Sequence, residues 1–314
     1  MTPPYTKGLH EVGDGVYAYL QPDGGWGWSN AGLVVDGDAS LLVDTLFDLR
    51  LTGEMLDTMR AATPAAASVD TLVNTHANGD HCFGNELVAG ARIVASSAGA
   101  KEMDDAPPEL LGSFVKAAPD LGEVGSYIAS IFGPFEFDGI TLTPPTETFD
   151  GELTLTVGDR TVQLYELGPA HTRGDVIAYL PDERLVFTGD LLFHSGHPVA
   201  WAGPVSNWIA ACDRIVALDA ATVVPGHGPV TDNRAVGNLK SYLEYLTAEA
   251  RIRYDAGLTP IEAARDISLA DYEAWGEAER LVVNVTTLYR DFGGDPPSDV
   301  VTMFTQMAEL AGSS

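Results

Sequence analysis

Apolar and polar residues alternate or run in short blocks over most of this chain, and the blocks are strand-sized. Val16-Tyr17-Ala18-Tyr19-Leu20 reads as a first strand. Leu33-Val34-Val35 and Leu41-Leu42-Val43 read as a hairpin turning at Asp36-Gly37-Asp38. Leu46 to Arg60 carries Leu49, Met55, Leu56 and Met59 at helical spacing. Leu72-Val73-Asn74 and Arg92-Ile93-Val94-Ala95 are two further strands. The runs Ile140-Thr141-Leu142, Leu153 to Val157 and Val162 to Leu167 follow, then Val176 to Leu180 and Leu185 to Thr188. Trp208 to Leu218 is helical and Thr222-Val223-Val224 is the last strand. Two stretches break the pattern. From 104 to 137, apolar residues recur every three or four positions between Pro107-Pro108 and Gly133-Pro134, which predicts one or two amphipathic helices. These suit equally a lid or pocket wall and a helix packed on the core. After 232 the strands stop. Leu239, Tyr242, Leu243, Leu246 and Ala250 form a helix face ending near Gly257. Thr259-Pro260-Ile261-Glu262 is a capping box with proline at the first helical position. Ser268-Leu269-Ala270-Asp271 predicts a further helix start, with its end at Gly293-Gly294. The reading is an α/β domain over 1–232, with a helical insertion at 104–137, and a helical extension over 233–314 packed on it.

The polar residues just past the strand ends carry the chemistry. Thr75-His76-Ala77-Asn78-Gly79-Asp80-His81 follows a buried strand and crowds two imidazoles and a carboxylate between small spacers. Imidazole and carboxylate suit zinc, and also iron or manganese. Taken alone, such a cluster also suits a solvated loop. The rest of the chain favours a metal: Asp44, His171, Asp190 and His227 each follow another strand, mostly with glycine beside them. Glycine lets a backbone approach a crowded centre, and sites in layered α/β folds form where loops leave a rigid sheet. Four of the seven histidines sit at such positions. His194 and His197 follow in a Gly/Pro-rich loop and are candidates for proton transfer, with solvated imidazoles as the plain alternative. Trp26 and Trp28, in the glycine-rich loop 21–30, read as a flap over a site, and Trp201 as an aromatic platform.

Composition narrows the partners. The 314 residues are 45% hydrophobic and carry 45 acidic against 17 basic side chains, a net charge of −28. That surface repels nucleic acid and anionic membranes. Cys82 and Cys212 are the only cysteines, so no disulfide framework is implied. Cys82 adjoins the metal loop, but its type is more often a small buried hydrophobe. No signal-like N-terminal segment and no apolar run long enough to span a bilayer is read, which suits a cytoplasmic setting.

Asp44, His76-Ala77-Asn78-Gly79-Asp80-His81, His171, Thr188-Gly189-Asp190 and Gly226-His227-Gly228 together resemble the metallo-β-lactamase superfamily, in that family's order. The resemblance implies an αββα sandwich with a metal site at one edge. It implies one metal position at His76, residue 78, His171 and Asp190. It implies a second at Asp80, His81, Asp190 and His227, with Asp44 holding the loop from behind. The family usually has histidine where this chain has Asn78, so the first position is weakened, while the second is complete. One or two zinc ions are expected, with Asp80 orienting a water or taking its proton. Trp201-Ala202-Gly203-Pro204, Asn207-Trp208-Ile209, Gly133-Pro134-Phe135, Thr143-Pro144-Pro145 and the helical tail are similar to cyclases of aromatic polyketide assembly that use this fold. That similarity implies ring closure, or release of a thioester, on an apolar or aromatic substrate that a carrier protein can hold. Three other readings stand beside it: a zinc hydrolase of small thioesters, lactones or esters; a mononuclear-iron sulfur dioxygenase on His76, His171 and Asp190; and a non-catalytic binding module.

Overall fold

The computed structural model describes residues 2–312. Met1, Ser313 and Ser314, the outermost residues of the two expected segments, lie outside them. In chain order the elements are β1 (Gly8–Gly13), β2 (Val16–Leu20), β3 (Ala31–Asp36), β4 (Ala39–Val43), α1 (Leu49–Ala62), β5 (Thr71–Val73), α2 (Gly79–Cys82), β6 (Arg92–Ser96), α3 (Ser97–Glu102), α4 (Pro108–Ala117) and α5 (Gly122–Phe132). They continue as β7 (Glu147–Phe149), β8 (Glu152–Val157), β9 (Arg160–Glu166), β10 (Val176–Leu180), β11 (Leu185–Phe187), α6 (Val205–Ala217), β12 (Thr222–Val224), α7 (Asn233–Asp255), α8 (Pro260–Asp266), α9 (Leu281–Asp291) and α10 (Val300–Ala311).

The strands form two sheets, ordered β1-β2-β3-β4-β5-β6-β7 and β12-β11-β10-β9-β8. β4 to β7 run parallel, as do β11 and β12. One face of each sheet meets the other sheet. Val34, Leu41, Val43 and Val73 from the first pack with Val162, Leu164, Ala178 and Leu185 from the second. Their sequence neighbours Leu33, Leu42 and Leu72 point the opposite way, into the layer that holds Leu51, Met55 and Leu56 of α1. Both faces are therefore buried, which is why these strands read as continuous apolar runs. The architecture is the expected αββα sandwich with helices following it.

Two local expectations change, and two elements were not expected. Ile140-Thr141-Leu142 is not a strand: the free edge of β6 is taken instead by β7, with Val94 opposite Glu147. Ile140 is buried as a single anchor, and the Thr141 amide donates to Glu86 at 2.7 Å. The helix expected from Ser268 breaks into short turns at Ala270–Tyr272 and Ala278–Arg280 before α9, with Glu277 at a φ of 57° between them. β1 and α10 were not legible. β1 is a bulged edge strand with mixed polarity, whereas α10 carries a start signal that is easily passed over, the Asp299 side chain accepting from the Thr302 amide at 3.0 Å.

The helices after 232 are wired into the segment that follows Asp190. Asn284 accepts from the Ala200 amide and donates to the Pro198 carbonyl, both at 2.8 Å. Thr287 donates to the Ala200 carbonyl at 2.7 Å, and the Arg290 guanidinium reaches the Trp201 carbonyl at 3.2 Å. Asn284→Ala strands a buried amide and a buried carbonyl, so it lowers unfolding free energy by about 2–4 kcal/mol in urea denaturation. A loss within the error of the wild-type curve contradicts this clamp.

Candidate metal centre

The site begins with backbone geometry at strand ends. β4 is followed by Asp44, a non-glycine residue at a φ of 62°. Such a conformation is held only where surrounding contacts over-determine it. Here they do: Asp44 accepts from the Thr75 amide and hydroxyl, both at 2.7 Å, and from His81 Nδ1 at 2.9 Å. Asp44 thus ties the end of β5 to the short helix α2. His76 precedes that helix, and Asp80 and His81 lie on it. Asp190 follows β11 and His227 follows β12. Gly226 is required by this approach, because a Cβ there would lie 1.9 Å from Asp190 Oδ1. His171 sits in the turn between β9 and β10. That turn is closed by Asp175, whose carboxylate accepts from the Thr172 amide and hydroxyl.

All four imidazoles are oriented from behind. Nδ1 of His81 donates to Asp44, that of His171 to the Val199 carbonyl at 2.6 Å, and that of His227 to the Gly24 carbonyl at 3.0 Å. His76 Nδ1 meets the Thr75 hydroxyl at 3.0 Å. That hydroxyl spends its proton on Asp44, so it accepts here. Every Nε2 therefore faces inward. His76, His171 and Asp190 bring ligand atoms within 4.8 Å of one another, and so do Asp80, His81 and His227. Asp190 stands between the groups: Oδ1 is 3.1 Å from His81, and Oδ2 is 3.4 Å from both His171 and His227. Asn78, at the first group, places its amide nitrogen 3.0 Å from His171 Nε2.

Lone pairs turned toward buried carboxylates need positive charge between them. His76 Nε2, His81 Nε2 and Asp190 Oδ1 are buried without a hydrogen-bond partner. Burial lowers the pKa of His76 and, less far, of His171. Burial acts the same way on His81 and His227, but the neighbouring carboxylates outweigh it. Asp190, Asp80 and Asp44 lift His81 well above its usual value, and Asp190 and Asp80 push His227 up to about 9. Asp190 is buried too, yet the imidazoles hold it well below the usual carboxylate range. The set is built around shared positive charge, and its nitrogen and oxygen donors fit divalent zinc, iron or manganese.

The centre opens into a cavity of about 240 Å³. Asn78, Asp80, His171, Asp190 and His227 line one side. Trp26, Phe47, Phe132, Phe193, Trp201 and Phe304 supply aromatic walls, with Leu110, Leu111 and Phe114 of α4 and Val300 of α10. The 104–137 insertion is thus both pocket wall and core element. Trp26 and Trp201 line the cavity, whereas Trp28 packs on Phe135 at 4.8 Å and does not. Loop 21–30 is a bound wall and not a flap, since Asn30 donates to the Pro225 and Gly228 carbonyls and Trp26 donates to Glu279.

The two proton-transfer candidates are also corrected. His194 faces the Pro229 carbonyl at 3.0 Å. His197 is fully buried against Trp275, with Nδ1 3.0 Å from the Tyr242 hydroxyl, and burial pushes its pKa down to about 4. Neither lines the cavity. Cys82 is buried, and burial pushes its thiol far up, so it is no nucleophile. Sequence reasoning passed over Phe193, which stacks on His227 with ring planes 4° apart. It also passed over Arg280, one of several arginines in the helical tail, with no motif around it.

The model of the metallo-beta-lactamase superfamily matches residues 24–227, and the chain belongs to that superfamily. It is 26% identical over 155 residues to a linear primary-alkylsulfatase of Pseudomonas sp. (strain ATCC 19151), an overlap of 45% of this chain and 29% of that protein. It is 24% identical over 255 residues to a metallo-beta-lactamase type 2 of Bacteroides fragilis, covering 77% of this chain and 88% of the relative. The solved stereoselective inverting sec-alkylsulfatase Pisa1 from Pseudomonas sp. superposes with a TM-score of 0.67 at 17% identity, over 91% of this chain and 50% of that one. This chain spans under a third of the first relative and half of that structure. Among the described residues no helix is long and apolar enough to cross a membrane.

Asp175, buried beside the His171 turn, has its pKa raised to about 8 by burial, against the opposing hydrogen bonds from Thr172. A raised carboxyl stabilises the fold fully only below its unfolded value near ~3.9, and that contribution is lost as pH rises toward 8. Asp175→Asn removes this slope. Its melting temperature therefore gains on wild type as pH rises from about 4 to 8, and a constant difference across that range contradicts the assignment.

Proposed function

We propose that this chain is a metal-dependent hydrolase-type enzyme whose substrate is a small aromatic or polyketide-like carbonyl compound, either released from a thioester or closed into a ring. The observation that carries this reading is the buried set of four imidazoles and two carboxylates at one wall of an aromatic cavity. His76, His171 and Asp190, with Asn78, form one candidate holding group, and Asp80, His81 and His227, sharing Asp190, form the other. The first is weakened by its amide member, so the second is the principal holder, with zinc as the expected ion. When bound, a divalent cation there polarises a carbonyl and lowers the pKa of water toward neutrality.

The chain's own residues supply the rest. Burial raises the pKa of Asp80, but His81 and His227 outweigh it and leave the carboxylate ionised. Asp80 lines the cavity, so it can accept a proton from water or from an acidic carbon of a substrate held there. The aromatic walls exclude bulk water and orient a flat substrate by stacking. Water attack on a thioester forms the acid, and the C–S bond breaks to release the thiol, which takes the water's proton. Where water is excluded, removal of a proton between two carbonyls leaves a carbanion that attacks a further carbonyl of the same molecule and closes a ring, the alkoxide formed taking the proton back. The acidic surface disfavours a nucleic-acid substrate, and a small molecule, free or as a carrier thioester, is the proposed partner. The two-histidine, one-carboxylate group at His76, His171 and Asp190 keeps an iron-dependent oxidation as the second reading.

A panel of aryl esters, thioesters and poly-β-ketone thioester mimics, run with metal analysis, tests these readings. The expected result is turnover that falls at least about 100-fold on chelation and returns with zinc, with cyclic product from the ketone mimics. Free acid alone from those mimics removes the cyclase reading and keeps the hydrolase. Iron content with oxygen uptake on a persulfide favours the second reading. Turnover unchanged after chelation overturns both.

A further inference from the structure

The cavity wall holds one arginine, and the metal centre does not account for it. Arg280, the residue before α9, lines it while being only 1% exposed. Its guanidinium lies over Trp26 at 4.3 Å and beside Phe193 at 5.3 Å. Nη1 donates to the His197 carbonyl at 3.0 Å. Nε is buried without a partner. Glu277 comes no nearer to Nη1 than 3.8 Å, beyond hydrogen-bond reach. Glu279 Oε1 accepts from Trp26 Nε1 and the Tyr127 hydroxyl.

The other charges on the cavity wall are answered. Glu102 and Asp105 both pair with Arg173. Asp80 and Asp190 face the imidazoles. A guanidinium keeps its charge at any ordinary pH and carries five donors. Burying it with so few partners is costly unless an anion completes the site. Its planar fork matches a carboxylate, and its aromatic neighbours fit a flat molecule that carries one.

We propose that Arg280 is a specificity-determining residue that binds a carboxylate on an aromatic substrate. The proposal rests on the function proposed above, because it concerns the same cavity. Phe193 lies between Arg280 and His227, stacked on the latter at 5.1 Å. The carboxylate is therefore a handle set about one ring away from the metal centre and not the group that reacts. It fixes which end of the substrate meets Asp80.

Calorimetric titration of the metal-loaded full chain with 2-naphthoate and with its neutral isostere 2-naphthamide tests this. Wild type is expected to favour naphthoate by at least about tenfold, the scale of one charged hydrogen-bonded contact. Arg280→Met should erase that ratio, and Arg280→Lys, which keeps charge without the fork, should shrink it several-fold. Equal affinities in wild type overturn the proposal. So does a preference that survives Arg280→Met, since the carboxylate then sits on the metal. Should Arg280→Met fail to fold, an unchanged ratio in Arg280→Lys overturns it alone. Metal content on the same samples keeps the two readings apart. A lost preference with metal retained in every variant supports the role of Arg280, whereas wild type without metal removes the metal-dependent reading whatever naphthoate does.

Discussion

Buried imidazole lone pairs and buried carboxylates cannot face each other without positive charge between them. Everything else in this fold supports such an arrangement. Each Nδ1 is committed to a carboxylate, a carbonyl or a hydroxyl behind the ring, so each Nε2 is aimed at the centre before any cation arrives. Only a rigid scaffold holds that arrangement. Two sheets buried on both faces provide it, and their strand ends present the ligands from separate loops.

The helices after residue 232 belong to the same device. Val199, whose carbonyl orients His171, lies in a segment clasped by Asn284 and Thr287 of α9. The superfamily match ends at 227, so α9 lies outside the matched residues. α10 adds Val300 and Phe304 to the cavity wall, and the 104–137 helices face them. The sandwich carries the candidate metal ligands, and these helices supply cavity wall beside them.

The centre was legible because its residues sit beside strong strand signals with glycine at the turns. The sandwich was legible because buried-on-both-faces strands read as apolar runs. The cavity was much harder to read. His197 and His194 follow Asp190 closely in sequence, yet the loop turns them into the interior and against Pro229. Trp26 and Trp28 are two residues apart and diverge, one into the cavity and one onto Phe135. Arg280 is some 50 residues from the last ligand, and no local pattern marks it. Strand-end placement follows from periodicity. Side-chain direction in an irregular loop follows from contacts that only the fold creates.

The most direct measurement is anomalous diffraction at the metal edge on crystals of the metal-replete protein. The account predicts a peak enclosed by His81, His227, Asp80 and Asp190, at bonding distances of about 2.0–2.2 Å from nitrogen and oxygen. A weaker peak, or none, is predicted between His76, His171 and Asn78. A metal-replete crystal with no peak among His81, His227, Asp80 and Asp190, or with its strongest peak elsewhere on the acidic surface, would contradict it.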